Sequence, residues 1–485
     1  MEIPIDWLRT PAAAWRGWRM PVRRDLLWCC RHTPRPAADP GHPIVPRRPR
    51  PGMAIAGAAM WAALQAGWAE GANESDDAVR LSGFGAVTLV QTDRDEVEYT
   101  PQPGNHANGA RKGHWSADLD SVLAAQLNAE FSEIYSGVVQ VLARRRAEND
   151  FQPEVEWAFL SLRASPGLHV RLGRLGTPFY MLSDYRSLLF AGPWVRPPAD
   201  VYGQVLFSRH DGLDLLFKQP LGMASLSLQG YVGGTETRFW APPSSVLDLQ
   251  LTNAAGLNVM YEQGPYLLRY GYHRAVLKGS SDRIDAVVRA LSATPSPLIP
   301  ASAWAGACPG CAAAAADLAM DDKRAVFQGI GLVADWPRWH LSAEYTGRST
   351  ETGALAATRA WYLSAASRLG RWTPFVVVSR LRQVSTSAEP RIAVRSIGVA
   401  AVDAATPAIA TTLATAVNGV LTDRSQRTTS AGVRLDLLRN LAFKAQWDRL
   451  NMTGSQHNGL SAVSTPAAGF DGRLNAYSLS ADFVF

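Results

Sequence analysis

Apolar and polar residues alternate over the last eleven residues of the chain. One face carries Asn475, Tyr477, Leu479, Ala481, Phe483 and Phe485, and the other carries Ala476, Ser478, Ser480 and Asp482. A period of two residues is that of a β-strand, in which successive side chains point to opposite faces. This strand fits a membrane-spanning barrel, with apolar residues toward lipid and polar residues toward a lumen. A soluble sheet could also contain such a strand, so the rest of the chain is needed to distinguish the two.

The same period predicts sixteen strands in the chain. They lie near residues 79–91, 117–130, 136–146, 154–164, 169–176, 211–218, 223–233, 254–263, 266–277, 325–335, 339–349, 358–369, 373–385, 426–437, 441–452 and 474–485. Seven connections are short and contain mostly Gly, Pro and Asn, the residues of tight turns: 131–135, 165–168, 219–222, 263–265, 335–338, 369–371 and 438–440. The connections that alternate with these turns are longer and often polar.

This order predicts an all-β fold, a transmembrane antiparallel β-barrel of about 16 strands with short periplasmic turns and long outer loops. A large soluble barrel or sandwich is the alternative, but it would not need a strict alternation of short and long connections. In the strand near 441–452, Leu441, Phe443 and Trp447 oppose Lys444 and Gln446. Polar residues at every second position predict a lumen filled with water.

Residues 53–69 precede the predicted barrel at residues 70–485. The uncharged stretch from Met53 to Trp68 follows Arg47, Arg48 and Arg50, and small residues lead up to Ala69. That order predicts a signal peptide cleaved after Ala69, and therefore export. A single anchoring helix is the alternative, but the stretch is short of the roughly 20 residues needed to span. Residues 1–52 are rich in Arg, Pro and Trp, which predicts a disordered upstream extension or a segment absent from the mature protein.

The terminal strand resembles the C-terminal signature of Gram-negative outer-membrane porins, and residues 70–485 resemble the general porins along their whole length. This resemblance implies an outer-membrane protein in contact with lipid. It also implies that the barrel-assembly machinery reads Tyr477, Leu479, Phe483 and Phe485. General porins are homotrimers in which each barrel keeps its own pore, so the resemblance implies a homotrimer here.

General porins fold their third outer loop into the barrel, and the connection from Thr177 to His210 occupies that place in the strand order. The resemblance therefore implies a constriction loop, whose candidate residues are Asp184, Tyr185, Arg186, Trp194, Arg196 and Asp200. The acidic, Gly-containing motif of enterobacterial porins is missing from it. The expected function is passive diffusion of small hydrophilic solutes and ions, and the alternative is a channel specific for small anions or organic acids.

Strand parity places several charged residues inward. The predicted basic wall is Arg171, Arg269, Arg348, Arg380, Arg382, Arg434 and Lys444, and the acidic residues are Asp214, Glu344, Asp436 and Asp448. A surplus of cations in a narrow lumen favours anions, since walls of low dielectric constant focus the field. The alternative is that these charges pair across strands and only bind the wall together. The sequence supports no more than a weak anion preference.

Two cysteines remain in the predicted mature chain, Cys308 and Cys311. With no second CxxC or His pair to complete a metal site, a disulfide within a loop is the expectation, ahead of redox chemistry. The run Ala312 to Ala316 beside them predicts a short helical turn. The uncharged stretch Ala404 to Leu421 falls in the seventh outer loop, and Pro407 makes it a poor spanning helix.

The composition adds little further chemistry. Residues 1–69 hold ten Arg and four acidic residues, which leaves 38 basic and 38 acidic groups of the chain's 48 and 42. The positive net charge therefore belongs to the leader, and a nucleic-acid partner is not expected. No phosphate-binding Gly loop, metal spacing or nucleophile motif is found, so neither a cofactor nor a metal is expected. A barrel enzyme is the remote alternative, with His273 and His340 as the best-placed inward histidines.

Overall fold

The computed structural model describes residues 78–485 except 105–107, 149, 242–244, 295–300, 385–391, 393, 397, 399, 421–422 and 455–456. Sixteen antiparallel strands form one closed barrel, in which each strand pairs with its neighbours in the chain and β1 pairs with β16. The strands are β1 (Val79–Thr92), β2 (Val122–Glu130), β3 (Tyr135–Arg144), β4 (Glu154–Ser165), β5 (Leu168–Gly176), β6 (Arg209–Leu221), β7 (Ala224–Ala241), β8 (Ser245–Gln263), β9 (Tyr266–Ser280), β10 (Lys323–Asp335), β11 (Trp339–Thr350), β12 (Thr358–Ser367), β13 (Trp372–Gln383), β14 (Gln426–Leu438), β15 (Leu441–Met452) and β16 (Arg473–Val484).

The predicted all-β class, the closed antiparallel barrel and all sixteen predicted strands are confirmed. Seven short connections lie at one end of the barrel, which we call the turn end, and the long connections lie at the other, the loop end. Positive φ angles at Gly167 and Gly264 (87° and 56°) explain why two of the turns need glycine. The largest difference from the prediction is the β7–β8 hairpin, whose strands of 18 and 19 residues extend past the expected ends.

The last residue closes the barrel. The backbone N–H of Phe485 donates to the Gly83 carbonyl at 2.9 Å, and the Gly83 N–H donates to the Phe485 carbonyl at 2.8 Å. The Phe485 ring covers Gly83 so closely that a Cβ atom there would lie 2.3 Å from it. Phe483 covers Gly85 in the same way, so the two terminal aromatic residues of the predicted assembly signal pack on glycines of the first strand.

The outward face of the barrel is apolar and exposed. Leucine, valine, isoleucine, phenylalanine and tyrosine side chains stand on it around the whole circumference, for example Leu160, Leu257, Ile330 and Leu479. At the turn end this belt gives way to a row of exposed aromatic residues, namely Tyr135, Tyr266, Trp339 and Trp372.

A short helix, α1 (Ala199–Tyr202), lies in the connection between β5 and β6. Two other long connections carry the helices that we call the helical cap: α2 (Asp282–Ser292), α3 (Ala301–Ala307), α4 (Cys311–Leu318) and α5 (Ala400–Val420). They share a core that includes Leu291, Trp304, Leu318 and Val417. The predicted turn at Ala312 lies in α4, and most of the uncharged stretch after Ala404 lies in α5. Among the described residues, no helix has the length and hydropathy needed to cross a bilayer.

The lumen is not polar throughout, which differs from the sequence prediction. An apolar cluster occupies part of it, and its core includes Phe179, Tyr180, Tyr202, Phe327 and Tyr362. The rings of Tyr180 and Tyr202 are tilted by 31° with centroids 4.7 Å apart, and Tyr180 meets Phe327 edge-on at 5.0 Å. The cluster forms because the connection between β5 and β6 brings its own aromatic residues inside, where inward residues of β10 to β13 pack against them.

Candidate pore constriction

The connection between β5 and β6, residues 177–208, enters the barrel, and we call it the inner loop. Its two ends are joined where the Thr177 N–H donates to the Ser208 carbonyl at 2.9 Å. It contains a short α-helix, α1 (Ala199–Tyr202), and two 3-10 turns, Ser183–Tyr185 and Leu189–Ala191. It crosses to the opposite wall, where Trp194 Nε1 donates to Ser364 Oγ of β12 at 3.0 Å. There the Val195 N–H also donates to Gln446 Oε1 of β15 at 2.9 Å.

Four of the seven predicted wall cations hold carbonyl groups of the inner loop. Lys444 Nζ donates to the carbonyls of Leu189 and Trp194 at 2.5 and 2.8 Å, and it also pairs with Asp482 at 2.7 Å. Arg434 donates to the carbonyls of Phe190 and Gly192, Arg269 to those of Pro178 and Phe179, and Arg348 to that of Gln204. These cations point inward as predicted, but their donor groups bind carbonyl oxygens of the inner loop.

Arg196 anchors the middle of the inner loop. Its guanidinium group donates to Asp120 at 2.6 Å, to Asp448 at 2.8 Å and to Ser478 Oγ at 2.5 Å. Its side chain is 5 % exposed. Burial raises the pKa of Asp120, which lies in the connection between β1 and β2, and the charge of Arg196 opposes that rise. Arg196 and the two carboxylates of Asp120 and Asp448 therefore form a buried ion-pair network.

Helix α1 is held by its own polar contacts. Asp200 accepts hydrogen bonds from Ser379 Oγ at 2.8 Å, Gln426 Nε2 at 2.5 Å and Thr428 Oγ1 at 3.0 Å. Burial raises the pKa of Asp200 to about 6, although these donors oppose the rise. Tyr202 OH donates to Glu344 at 2.9 Å. Trp194, Arg196 and Asp200 therefore belong to the buried side of the loop.

The predicted acidic residues also point inward and are engaged. Asp214 accepts from Arg171 at 2.9 Å and from Gln229 at 2.8 Å. Asp436 pairs with Arg434 at 2.7 Å. Asp448 binds Arg196, and Glu344 accepts from the Met181 N–H at 3.0 Å as well as from Tyr202. Most of the charged residues predicted to line the lumen thus pair with one another or bind the inner loop, which was the alternative raised from the sequence.

Two residues assigned to the basic wall were assigned to the wrong face. Arg380 and Arg382 are exposed and share their face of β13 with Trp372 and Val376. The inward residues of this strand are Thr373, Phe375, Val377, Ser379 and Leu381. The usual rule of polar inside and apolar outside fails here because the inward side of β13 packs on the apolar cluster.

Open space remains on the side of the lumen away from those anchors, and we call it the passage. One cavity of about 200 Å³ lies between the inner loop and the wall of β1 to β5 and β7, lined by Ser82, Gln126, Gln140, Glu156, Arg171 and Gln229. A second of about 60 Å³ lies nearer the loop end, beside Asp120 and Arg144. Arg186 and Ser187 line both cavities, so they lie between the wider and the narrower part of the passage.

The narrow part of the passage carries a positive charge excess. Within the described ranges, neither Arg144 nor Arg186 forms an ion pair, whereas the nearby Glu156 is bound by Arg209 at 3.1 Å. Burial lowers the pKa of Arg186, and the charge of Arg144 adds to that effect. Asp184 and Tyr185 line the wider cavity, where burial raises the pKa of both groups. Sequence parity could have found Arg144, since it shares the inward face of β3 with Gln140.

The remaining candidate groups lie elsewhere. Cys308 and Cys311 form a disulfide in the helical cap. His273 Nδ1 lies 3.2 Å from Tyr231 OH under the inner loop, and His340 Nδ1 lies 3.2 Å from Asp335 at the turn end. No group of three or more His, Cys, Asp or Glu suited to a metal ion occurs among the residues that the structure describes.

Comparison with known proteins shows similarity in fold. No protein-family model matches the chain, and no curated protein matches it. Among solved structures, OmpF of Salmonella typhi in complex with daunomycin is 13% identical, with 84% of this chain and 97% of that chain covered and a TM-score of 0.48. An anion-selective porin from Comamonas acidovorans is 11% identical (84% and 99%, TM-score 0.46). OmpT of Vibrio cholerae is 8% identical (85% and 99%, TM-score 0.46).

Proposed function

We propose that the protein is an outer-membrane porin of a Gram-negative bacterium, through which small hydrophilic solutes and ions diffuse passively. The apolar outward belt supports a lipid environment, since an apolar surface of this extent is costly in water. The row of aromatic residues at the turn end fits a membrane interface. The passage beside the inner loop supports a channel, because polar and charged side chains line part of it, among them Gln126, Gln140 and Arg171.

We further propose a weak preference for anions. The observation that carries it is the pair Arg144 and Arg186 at the narrow part of the passage, with Glu156 already engaged by Arg209. Arg144 and Arg186, together with Arg209, outnumber the nearby carboxylate, Glu156, and a surplus of cations in a confined space raises the local concentration of anions. The preference is weak because most other inward cations hold the inner loop or inward acids.

Replacing both arginines, Arg144→Gln with Arg186→Gln, should lower the anion-to-cation permeability ratio at least about twofold, since the two charges dominate the local field. Reversal potentials across a planar bilayer in a salt gradient measure that ratio. The matched control is Arg338→Gln with Arg371→Gln, which removes the same charge from exposed turns near β10 to β13, across the barrel from the passage.

The effect should be largest near 0.1 M salt and shrink near 1 M, because the Debye length falls from about 10 Å to about 3 Å. An unchanged ratio in the passage variant at low salt would remove the basis of the proposal. An equal shift in the control variant would do the same, since it would assign the effect to net charge.

We also propose that the protein is a homotrimer whose terminal strand is read by the barrel-assembly machinery. Leu89 of β1 and Leu479 of β16 are directly opposite each other and exposed on the outward face. An apolar seam of this kind, beside the closure of the barrel, suits burial against another copy.

A further inference from the structure

A further cavity lies at the loop end of the barrel, between the inner loop and the helical cap. Its volume is about 190 Å³, and we call it the capped cavity. Gly203, Gln204 and Leu206 of the inner loop line one side of it, and residues of α2 and α5 line another. Gly203 and Leu206 also line the narrower cavity of the passage, so the two spaces adjoin. Among the described residues, none lines both the capped cavity and the wider cavity of the passage.

The wall of the capped cavity is largely apolar. The apolar side chains that line it include Leu206, Phe239, Leu247, Ile284, Leu355 and Leu381. Leu206, Phe239 and Leu355 also line a smaller cavity of about 80 Å³, which extends beside Phe207 and Phe327. Phe207 and Phe239 meet edge-on with ring centroids 5.5 Å apart. The two adjoining cavities thus form an apolar space with aromatic residues in its wall.

Three arginines also line the capped cavity. They are Arg283 at the start of α2, Arg348 on β11 and Arg424 just before β14, and within the described ranges no Asp or Glu lines it. Burial lowers the pKa of Arg424 to about 10, and the charge of Arg283 adds to that effect. The adjacent carboxylate, Asp423, accepts from the N–H and the hydroxyl of Ser425 at 2.8 and 2.6 Å. An anion between two cations that repel each other stabilises both.

Arg348 supplies a further donor. Its two terminal nitrogens donate to the carbonyls of Gln204 and Ala356, the latter at 2.8 Å. Its Nε atom is buried and has no hydrogen-bond partner in the part of the chain that the structure describes. A buried donor without an acceptor is costly, so an acceptor group brought into the cavity would be stabilising.

We propose that the capped cavity binds a small aromatic carboxylate. The carboxylate group lies between Arg283 and Arg424, since arginine binds a carboxylate through two parallel hydrogen bonds. The ring lies on the apolar wall beside Phe239, because aromatic rings favour the edge-on and offset contacts that such a wall offers. Both cavities are smaller than the roughly 300 Å³ at which sites for drug-sized ligands begin, so the ligand is small. This proposal goes beyond the proposed function, because it concerns a bound ligand and not the diffusion of ions through the passage.

The experiment titrates the detergent-solubilised protein with phenylacetate in an isothermal titration calorimeter. The cavity variant is Arg283→Gln with Arg424→Gln. The matched control is Arg338→Gln with Arg371→Gln, which removes the same charge from exposed turns. A third variant, Ala354→Trp, adds bulk at the wall of the capped cavity and leaves every charge in place. Heat modifiability on a gel shows that each variant has folded.

The cavity variant should bind phenylacetate at least about tenfold more weakly than the wild type, since charge-assisted hydrogen bonds are lost. Ala354→Trp should weaken binding at least about fivefold because its ring takes the place of the ligand, and the control should stay within about twofold. Binding at the wild-type level in the cavity variant or in Ala354→Trp would overturn the proposal. Equal weakening in the control, or a wild type that does not bind phenylacetate, would do the same.

Related compounds test each part of the ligand. Phenylacetamide keeps the shape but has no charge, and acetate keeps the charge but has no ring; both should bind at least about tenfold more weakly than phenylacetate. Cyclohexylacetate keeps size and charge without an aromatic ring and should bind at least about twofold more weakly. Equal binding of phenylacetamide or acetate would overturn the site as described, and equal binding of cyclohexylacetate would overturn the assignment to an aromatic ligand.

Because the assay measures binding to isolated protein, a failure of the conductance experiment leaves it unaffected. Absence of phenylacetate binding together with the expected reversal potentials would in turn refute only the ligand site.

Discussion

The inner loop should open far more readily when Arg196 is replaced by methionine. The substitution keeps most of the side chain's volume but leaves Asp120 and Asp448 buried without their cation. Removing one partner of a buried ion pair typically costs about 3–5 kcal/mol. Since about 1.4 kcal/mol corresponds to a factor of ten, the population of the opened loop should rise by roughly two to three and a half orders of magnitude.

Hydrogen exchange followed by mass spectrometry on peptides from residues 177–208 measures that population directly. Peptides from the strands report whether the barrel itself is intact. The matched control is Arg238→Met, whose guanidinium group pairs with Asp248 at 2.9 Å but is 64 % exposed. Exposed pairs contribute about 0–1 kcal/mol, so exchange in the control should change by less than about fivefold.

The pH dependence provides a second check. Loss of Arg196 removes the charge that opposes the raised pKa of Asp120, so that pKa should rise further. A group with a raised folded pKa favours the folded loop at low pH and loses that contribution as the pH rises. The difference between variant and wild type should therefore be smaller at pH 5 than at pH 8. Exchange of the loop within about threefold of wild type at pH 8 would refute the assignment of Arg196 as its anchor.

Two further predictions concern the terminal residue and α1. Replacing Phe485 with Asp, or deleting it, should lower the amount of folded, heat-modifiable barrel in the outer membrane. The reason is that the Phe485 ring covers Gly83 and that the Phe485 backbone closes the sheet. Normal amounts of folded barrel in either variant would contradict this prediction. The pKa of Asp200, near 6, predicts that protection of α1 declines between about pH 4 and 7 as this carboxyl ionises, since the folded pKa lies above the unfolded value. Asp200→Asn should flatten that profile, and an unchanged profile would refute the role of Asp200.

Much of the fold could be predicted from the sequence because a barrel repeats one simple rule. Each strand alternates, each turn at one end is short, and the count of strands follows from both. The β7–β8 hairpin was underestimated because residues 234–241 and 245–253 lie beyond the outward apolar belt. Their apolar residues Phe239, Leu247, Leu249 and Leu251 instead pack on the apolar cluster inside the barrel.

The site was harder to predict because the inner loop follows no period. Its anchors depend on which side chains lie across the lumen, up to 282 residues away in the chain. Arg380 and Arg382 were placed inward because β13 has apolar residues on both faces. Arg434 and Lys444 were correctly predicted to point inward, but sequence alone does not reveal that they donate hydrogen bonds to carbonyl groups of the inner loop. The inward position of Arg144 could be predicted from strand parity, and only the structure shows that it forms no ion pair among the described residues, although its charge acts on Glu156.

The anchoring of the inner loop sets an order of events during biogenesis. The loop emerges before β6, yet Arg196 binds Asp448 on β15 and Ser478 on β16, which are among the last strands of the chain. These contacts cannot form until β15 and β16 have taken their places in the sheet. The inner loop therefore reaches its final position no earlier than the last two strands of the barrel, and a sheet that lacks these strands also lacks the anchors of the loop.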